Sequence, residues 1–118
     1  MLKAFLADQI AKKEKSIVQP KDKIKDIHNA LILGLKDYFN KLGFSKAVLG
    51  LSGGIDSAVT AVLASRALGP ENVRVLLMPS QFSSQHSIDD AIQLAEKLAI
   101  HYDIIPIKDI YEVFMAQL

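Results

Sequence analysis

Ala47-Val48-Leu49-Gly50-Leu51-Ser52-Gly53-Gly54-Ile55-Asp56-Ser57 is the stretch that decides the fold. Its first five residues are a short continuous apolar run, the pattern of a strand buried on both faces. A Gly-rich turn follows, and Ala58 to Leu68 then reads as an apolar helix. Gly69-Pro70 ends that helix. A strand, a tight turn and a helix in immediate succession begin a βαβ unit.

Working outward, the pattern repeats. Val73-Arg74-Val75-Leu76-Leu77-Met78 reads as a second strand, stopped by Pro79. A polar loop runs from Ser80 to His86. Ser87-Ile88-Asp89-Asp90 then opens a helix with a hydroxyl cap and acids in the positive first turn, and that helix continues to about Ala99. Tyr102 to Ile107 reads as a third strand, its end bounded by Pro106, and Lys108 to Leu118 begins another helix. Upstream, Leu2 to Lys15 reads as a helix, and Pro20 breaks the chain. A longer helix from Asp22 to Leu42 sets Ile24, Ile27, Leu31, Leu35, Phe39 and Leu42 on one face, with Gly43 as the residue after its end. The order predicts an α/β fold with a parallel sheet, right-handed connections and two preceding helices. In such sheets ligands sit at the carboxyl ends of the strands. The loops at 52–57 and 79–86 both emerge there.

Composition limits the alternatives. The chain has 118 residues, 50% hydrophobic and 23% charged, which excludes disordered, collagen-like and low-complexity classes. Its length suits one domain with a modest core. No apolar run approaches the roughly 18–20 residues of a membrane span, and the start lacks the apolar stretch of a signal peptide. Cys is absent, which removes disulfides, thiolate nucleophiles and Cys-based zinc sites, and fits a reducing compartment. The net charge of +1 makes no case for nucleic acid or membrane. Residues 1–25 hold seven lysines against three acids. No aromatics interleave with the lysines from 12 to 25, so they read as a solvated face and linker.

The chemistry is concentrated in Ser52 to Ser57. Two adjacent glycines let backbone N–H groups approach a ligand closely. The helix N-terminus supplies unsatisfied donors and partial positive charge, and Ser52 and Ser57 supply hydroxyls, so the loop is a cradle for phosphate. Asp56 beside phosphates is what a Mg²⁺ site requires. A Walker A loop would need a Lys that is missing, and the glycine spacing is wrong for a dinucleotide fingerprint. Gly50-Leu51-Ser52-Gly53-Gly54 fits a nucleophile elbow literally, but only His86 and His101 follow as candidate bases. A tight turn without a ligand is the plainest alternative. His28, His86 and His101 lack metal-ligand spacing, and His86 lies nearest the ligand edge. Phe82 suits either a purine pocket or an anchor into the core. Arg66 and Arg74 read as surface.

Ser-Gly-Gly-x-Asp-Ser after a buried strand resembles the pyrophosphate-binding loop of the ATP pyrophosphatases, the adenine-nucleotide alpha hydrolase-like group. The flanks narrow the resemblance. Ala30 to Phe39 with Gly43-Phe44, and Val48 to Ala58, resemble NAD synthetases. Leu77-Met78-Pro79-Ser80-Gln81-Phe82-Ser83-Ser84 followed by Ser87-Ile88-Asp89-Asp90-Ala91 is similar to the glutamine-dependent members in particular. The similarity covers roughly 24–110.

The resemblance implies a three-layer, Rossmann-like fold, truncated here to about three strands, with residues 1–22 as helix and linker and 23–118 as part of a synthetase domain. It implies ATP and Mg²⁺ as cofactors. Ser52, Gly53, Gly54, Ile55, Asp56 and Ser57 then hold the ATP phosphates, and Asp56 also binds the metal. Leu77, Met78, Pro79, Ser80, Ser84 and Gln85 lie toward the adenosine. The family reaction adenylates nicotinic acid adenine dinucleotide and amidates it with ammonia to give NAD⁺ and AMP, without a covalent protein nucleophile. A cytoplasmic homodimer is expected, with an upstream glutaminase domain and the remainder of the synthetase domain outside this chain. A chain of this extent is expected to bind ATP weakly and to be catalytically incomplete. The other readings are a GMP synthetase-like or tRNA-modifying pyrophosphatase, and a non-catalytic α/β interaction module.

Overall fold

The computed structural model describes residues 1–15 and 20–118. Residues 16–19 of the expected linker lie outside the described residues. The elements run α1 (Leu2–Lys15), α2 (Pro20–Leu42), β1 (Ala47–Gly50), α3 (Ile55–Leu68), a 3₁₀ turn (Pro70–Asn72), β2 (Val73–Leu77), α4 (Gln85–Lys97), β3 (His101–Ile104) and α5 (Lys108–Gln117). Pro20 opens α2 rather than standing before it, because its fixed φ and missing N–H suit the first helical turn.

The chain divides into two compact units, Met1–Ala30 and Leu31–Leu118. In the first, α1 carries Leu2, Phe5 and Leu6 on one exposed stripe. In the second, the carboxyl-terminal part of α2 ends where Gly43 adopts φ +73. The Phe44 N–H reaches the Phe39 carbonyl at 2.9 Å and the Gly43 N–H reaches Asn40 at 3.2 Å. This paired closure satisfies carbonyls that the helix end would otherwise leave open. Within this unit the apolar face of α2 is only partly covered: Leu35 packs on the margin of the core, while Leu31 and Leu42 are exposed.

The three strands pair in the order β1-β2-β3, all parallel. Ala47 lies opposite Val73, and Leu77 opposite Ile104. This is the α/β arrangement that the strand-helix alternation predicts. Successive side chains of a strand point to opposite faces. Val73, Val75 and Leu77 of β2 therefore share one face, and there they form the core with Ala61 and Ala64 of α3 and Ala91 and Ala95 of α4. The alanines are the reason the helices lie close: with only a methyl group at the contact, backbone approaches strand side chains directly.

The opposite face differs from expectation. Val48 of β1 is 63% exposed, so β1 is covered on one face rather than two. The reason is that α3 and α4 both pack on the Val75 side, while the other side of β2 and β3 carries a polar cluster beside Leu76. There Arg74 donates from Nε to Asp103 Oδ2 at 2.6 Å and from Nη2 to Oδ1 at 3.2 Å. Arg74 Nη2 also lies 2.8 Å from His101 Nε2. Guanidinium can only donate, so His101 Nε2 is the acceptor in that contact. The Arg74 hydrogen bond holds the Asp103 carboxyl below its ordinary value.

Two expectations follow. Ala61→Leu overpacks the fully buried α3–β2 contact and should cost about 1–3 kcal/mol in urea unfolding, whereas Val48→Ala should cost less than about 0.5 kcal/mol. Because the Asp103 carboxyl is depressed in the folded state, its contribution is present at neutral pH and is lost on acidification. The stability difference between the natural chain and Asp103→Asn should therefore persist down to the ordinary carboxylate range near about 4 and shrink as pH falls below it. A difference that stays constant across that range would contradict the assignment.

Candidate functional site

The parallel register brings the carboxyl ends of β1 and β2 to one edge, and the loops at 51–54 and 78–84 leave from it. Leu51, 3% exposed, extends β1 into the core, and its N–H bonds the Leu76 carbonyl at 2.9 Å. This anchors the first residue before the turn. Gly53 then takes φ +84 and Gly54 caps α3 with an extended backbone.

The turn is closed by its own hydroxyls. Ser57 Oγ accepts from the Ser52 N–H at 3.1 Å and donates to the Gly54 carbonyl at 3.2 Å. Ser52 Oγ lies 3.0 Å from Ser57 Oγ and accepts from the Gly54 N–H at 3.2 Å. Since the one hydroxyl hydrogen of Ser57 goes to Gly54, Ser52 is the donor between the two. Both hydroxyls are thus engaged inside the loop. The outward donors are backbone: the N–H groups of Ile55, Asp56 and Ser57 open α3 and have no preceding helical carbonyl to bond. With the helix dipole, they favour an anion. Asp56 is exposed in the same turn, and its carbonyl accepts from Thr60 Oγ1 at 2.9 Å.

Beside this turn lies a cavity of about 270 Å³ lined by Leu51, Ser52, Leu77, Met78, Pro79 and Phe82 at one side. Ser83, Ser84, Ser87, Ile88 and Ala91 complete it. The expected adenosine-side residues separate here. Leu77, Met78, Pro79 and Ser84 line the cavity together with Ser52 of the cradle, while Ser80 and Gln85 do not. Ser80 instead shapes its own turn, with its N–H on Ser83 Oγ at 3.0 Å and its hydroxyl accepting from the Phe82 N–H at 3.2 Å. Gln85 donates to Asp89 Oδ1 at 2.9 Å.

Phe82 is 80% exposed and contacts Tyr111 edge-on with ring centroids 6.1 Å apart, so it is a wall of the cavity and not an anchor in the core. His86 stands in solvent, with Nδ1 3.5 Å from Asp90 Oδ1. The hydroxyl cap of α4 is Ser84 rather than Ser87: Ser84 Oγ accepts from the Ser87 N–H at 3.1 Å, and the helix starts at Gln85. Ser84 has the extended backbone a cap needs, which puts its oxygen over the N–H three residues on. Sequence reasoning missed the lining residues Leu51 and Ser83, and on α4 it missed Ser87, Ile88 and Ala91. With Ser84 those three on α4 fall at intervals of three and four, one helix face, and that spacing was the available signal.

Among the described residues, no group of three or more His, Asp or Glu side chains comes together to hold a metal. Among them too, no helix is long and apolar enough to cross a membrane.

Comparison with known proteins bears on this geometry. The NAD synthase family model matches residues 27–118. The glutamine-dependent NAD(+) synthetase of Aquifex aeolicus is 55% identical over 95 residues, covering 80% of this chain and 17% of that protein. The NH(3)-dependent NAD(+) synthetase of Chlorobaculum tepidum is 48% identical over 86 residues, covering 73% of this chain and 31% of that protein. In structure, the chain is similar to the glutamine-dependent NAD+ synthetase from Acinetobacter baumannii in complex with adenosine diphosphate. The TM-score is 0.76 and the identity 39%, over 78% of this chain and 18% of that one. The chain thus spans less than a third of the length of these relatives.

Gly53 is the residue on which the turn depends. A Cβ there would stand 2.2 Å from the Ser87 carbonyl oxygen and would need a left-handed backbone. Gly43 has a similar φ but open space around it. Gly53→Ala should therefore cost more than about 2 kcal/mol, and Gly43→Ala about 1 kcal/mol. Equal costs in urea unfolding would show that the approach to Ser87 is unimportant.

Proposed function

This chain belongs to the NAD synthase family, and on that premise we propose that it is the ATP-binding portion of an NAD⁺ synthase. The observation that carries the proposal is the cradle of Ser52 to Ser57 opening onto a cavity with an apolar wall. A triphosphate needs convergent donors, and a purine needs an apolar slot beside them. Both occur at the one sheet edge where α/β folds bind ligands.

The backbone N–H groups of Ile55, Asp56 and Ser57, with Gly53 and Gly54 allowing close approach, hold the phosphates. Leu77, Met78 and Pro79, with Phe82 opposite, take the adenosine. Ser52 and Ser57 keep the loop in shape and become phosphate donors by exchanging their internal bonds. Asp56 fits a magnesium ion, because Mg²⁺ is commonly held by one or two carboxylates together with substrate phosphates and water. When bound, the ion neutralises charge on the phosphate oxygens.

In the reaction of the whole protein, a carboxylate oxygen of nicotinic acid adenine dinucleotide attacks the α-phosphorus of ATP. The bond from that phosphorus to the bridging oxygen breaks, and pyrophosphate leaves. Ammonia, from glutamine in the parent enzyme, then attacks the activated carbonyl and loses a proton, and AMP departs with the former carboxylate oxygen. This chain's part is to stabilise charge developing on the leaving pyrophosphate, with donors fixed in place before the reaction begins. The protein nucleophile suggested by the literal elbow pattern is not needed, and Ser52 is turned toward its own loop.

Titration with magnesium pyrophosphate should shift the amide resonances of residues 53–58 at millimolar ligand and leave those of β3 in place. Absence of any shift in the loop would contradict the proposal. The chain mixed alone with nicotinic acid adenine dinucleotide, ATP and ammonia should yield no NAD⁺, and turnover would contradict its assignment as a portion of the catalytic unit.

A further inference from the structure

We propose that Ser84 is a positioning residue for the phosphate cradle, acting on Gly53 through the first turn of α4. The proposal rests on the reading of Ser52 to Ser57 as that cradle, but its first readout requires no ligand.

Three observations form the chain of contact. First, Ser84 Oγ accepts from the Ser87 N–H at 3.1 Å and lies 2.8 Å from Ser87 Oγ, so the cap holds Ser87 by backbone and side chain together. The Ser84 carbonyl also accepts from the Ile88 N–H at 3.3 Å, which ties the cap to the next residue of the turn. Second, the Ser87 carbonyl faces Gly53 so closely that a Cβ on Gly53 would lie 2.2 Å from its oxygen, 2.8 Å from its carbon and 2.9 Å from Ser87 Cα. These are backbone atoms inside a helix, which do not swing aside as a flexible side chain would. Third, Gly53 precedes the N-cap of α3, so its position sets where the outward N–H groups of that helix point.

The cradle is therefore braced from two sides. Ser57 closes it from within, and the first turn of α4 backs it from without. Ser84 holds that turn in place. Its hydroxyl is spent on this cap, although the residue also lines the cavity. Loss of the cap frees the first turn of α4 to fray. Ser87 then no longer limits Gly53, and the cradle donors lose their shared aim.

The test compares the isotope-labelled chain with Ser84→Ala and Ser84→Thr by amide chemical shift and hydrogen exchange, first without ligand and then with magnesium pyrophosphate. In Ser84→Ala the Ser87 amide should exchange faster and the Gly53 resonance should move, while Val75 in the core stays unchanged. Ser84→Thr, which keeps the hydroxyl, should restore both. Pyrophosphate should bind more weakly to Ser84→Ala, by up to about fivefold, the full weight of one lost cap. Faster exchange at Ser87 with an unmoved Gly53 would overturn the proposal, as would failure of Thr to restore the Gly53 resonance. A Gly53 response without pyrophosphate binding to any of the three proteins would uphold the positioning and contradict the phosphate reading. Should Ser84→Ala disturb Val75, Ser84→Gly takes its place, because glycine removes the hydroxyl at smaller cost to the helix. An unmoved Gly53 in that variant overturns the proposal.

Discussion

The contact of four alanines with one strand governs this molecule. Val73, Val75 and Leu77 of β2 are covered by Ala61 and Ala64 from α3 and by Ala91 and Ala95 from α4. Because a methyl group is all that separates helix from strand, the two helices lie near enough to each other for their amino-terminal turns to meet at the carboxyl edge of the sheet. Gly53 and Ser87 are that meeting. Larger residues at the alanine positions would lift the helices and part the loops. The core in this sense is not only a store of stability. It sets the spacing at which a glycine-rich turn and a serine-capped helix become one surface.

Much of this was legible in the sequence because it is written in local chemistry. The βαβ alternation shows in the change of period at Ala47 and in the Gly69-Pro70 and Pro79 boundaries. Gly43 marks its helix end because a left-handed residue is needed there. The candidate cradle stands out in the sequence as two glycines, a helix start and two hydroxyls in succession. What was not legible depends on contact across the fold. Val48 belongs to a run that looks buried on both faces, yet its exposure is decided by where α3 and α4 pack. Ser84 and Ser87 both suit an N-cap, and only the backbone angles of Ser84 choose between them. Ser80 and Gln85 sit among residues that do line the cavity, and hydrogen bonds with near neighbours turn them elsewhere.

The two faces of the sheet divide the labour. One is apolar and covered, and it fixes geometry. The other carries Arg74 opposite His101 on the neighbouring strand, with Asp103 two residues further along that strand. That cluster stands on the sheet, while the proposed ligand chemistry stands at its edge. In the proposed reading the chemistry happens at that edge, and the serines that look most like reactants there are the loop's own fasteners.

Those fasteners carry a kinetic meaning. A loop whose hydroxyls are already bonded to its own backbone has met its ordering entropy during folding, so a phosphate arrives at a surface that is waiting rather than one that must assemble. In the proposed reading Ser52 and Ser57 then trade a bond to the loop for one to the ligand. Each such trade leaves the number of side-chain hydrogen bonds unchanged, so the net gain on capture comes from the backbone N–H groups that open α3. Under the proposed function, in which pyrophosphate is released at this site, ready departure matters as much as tight arrival.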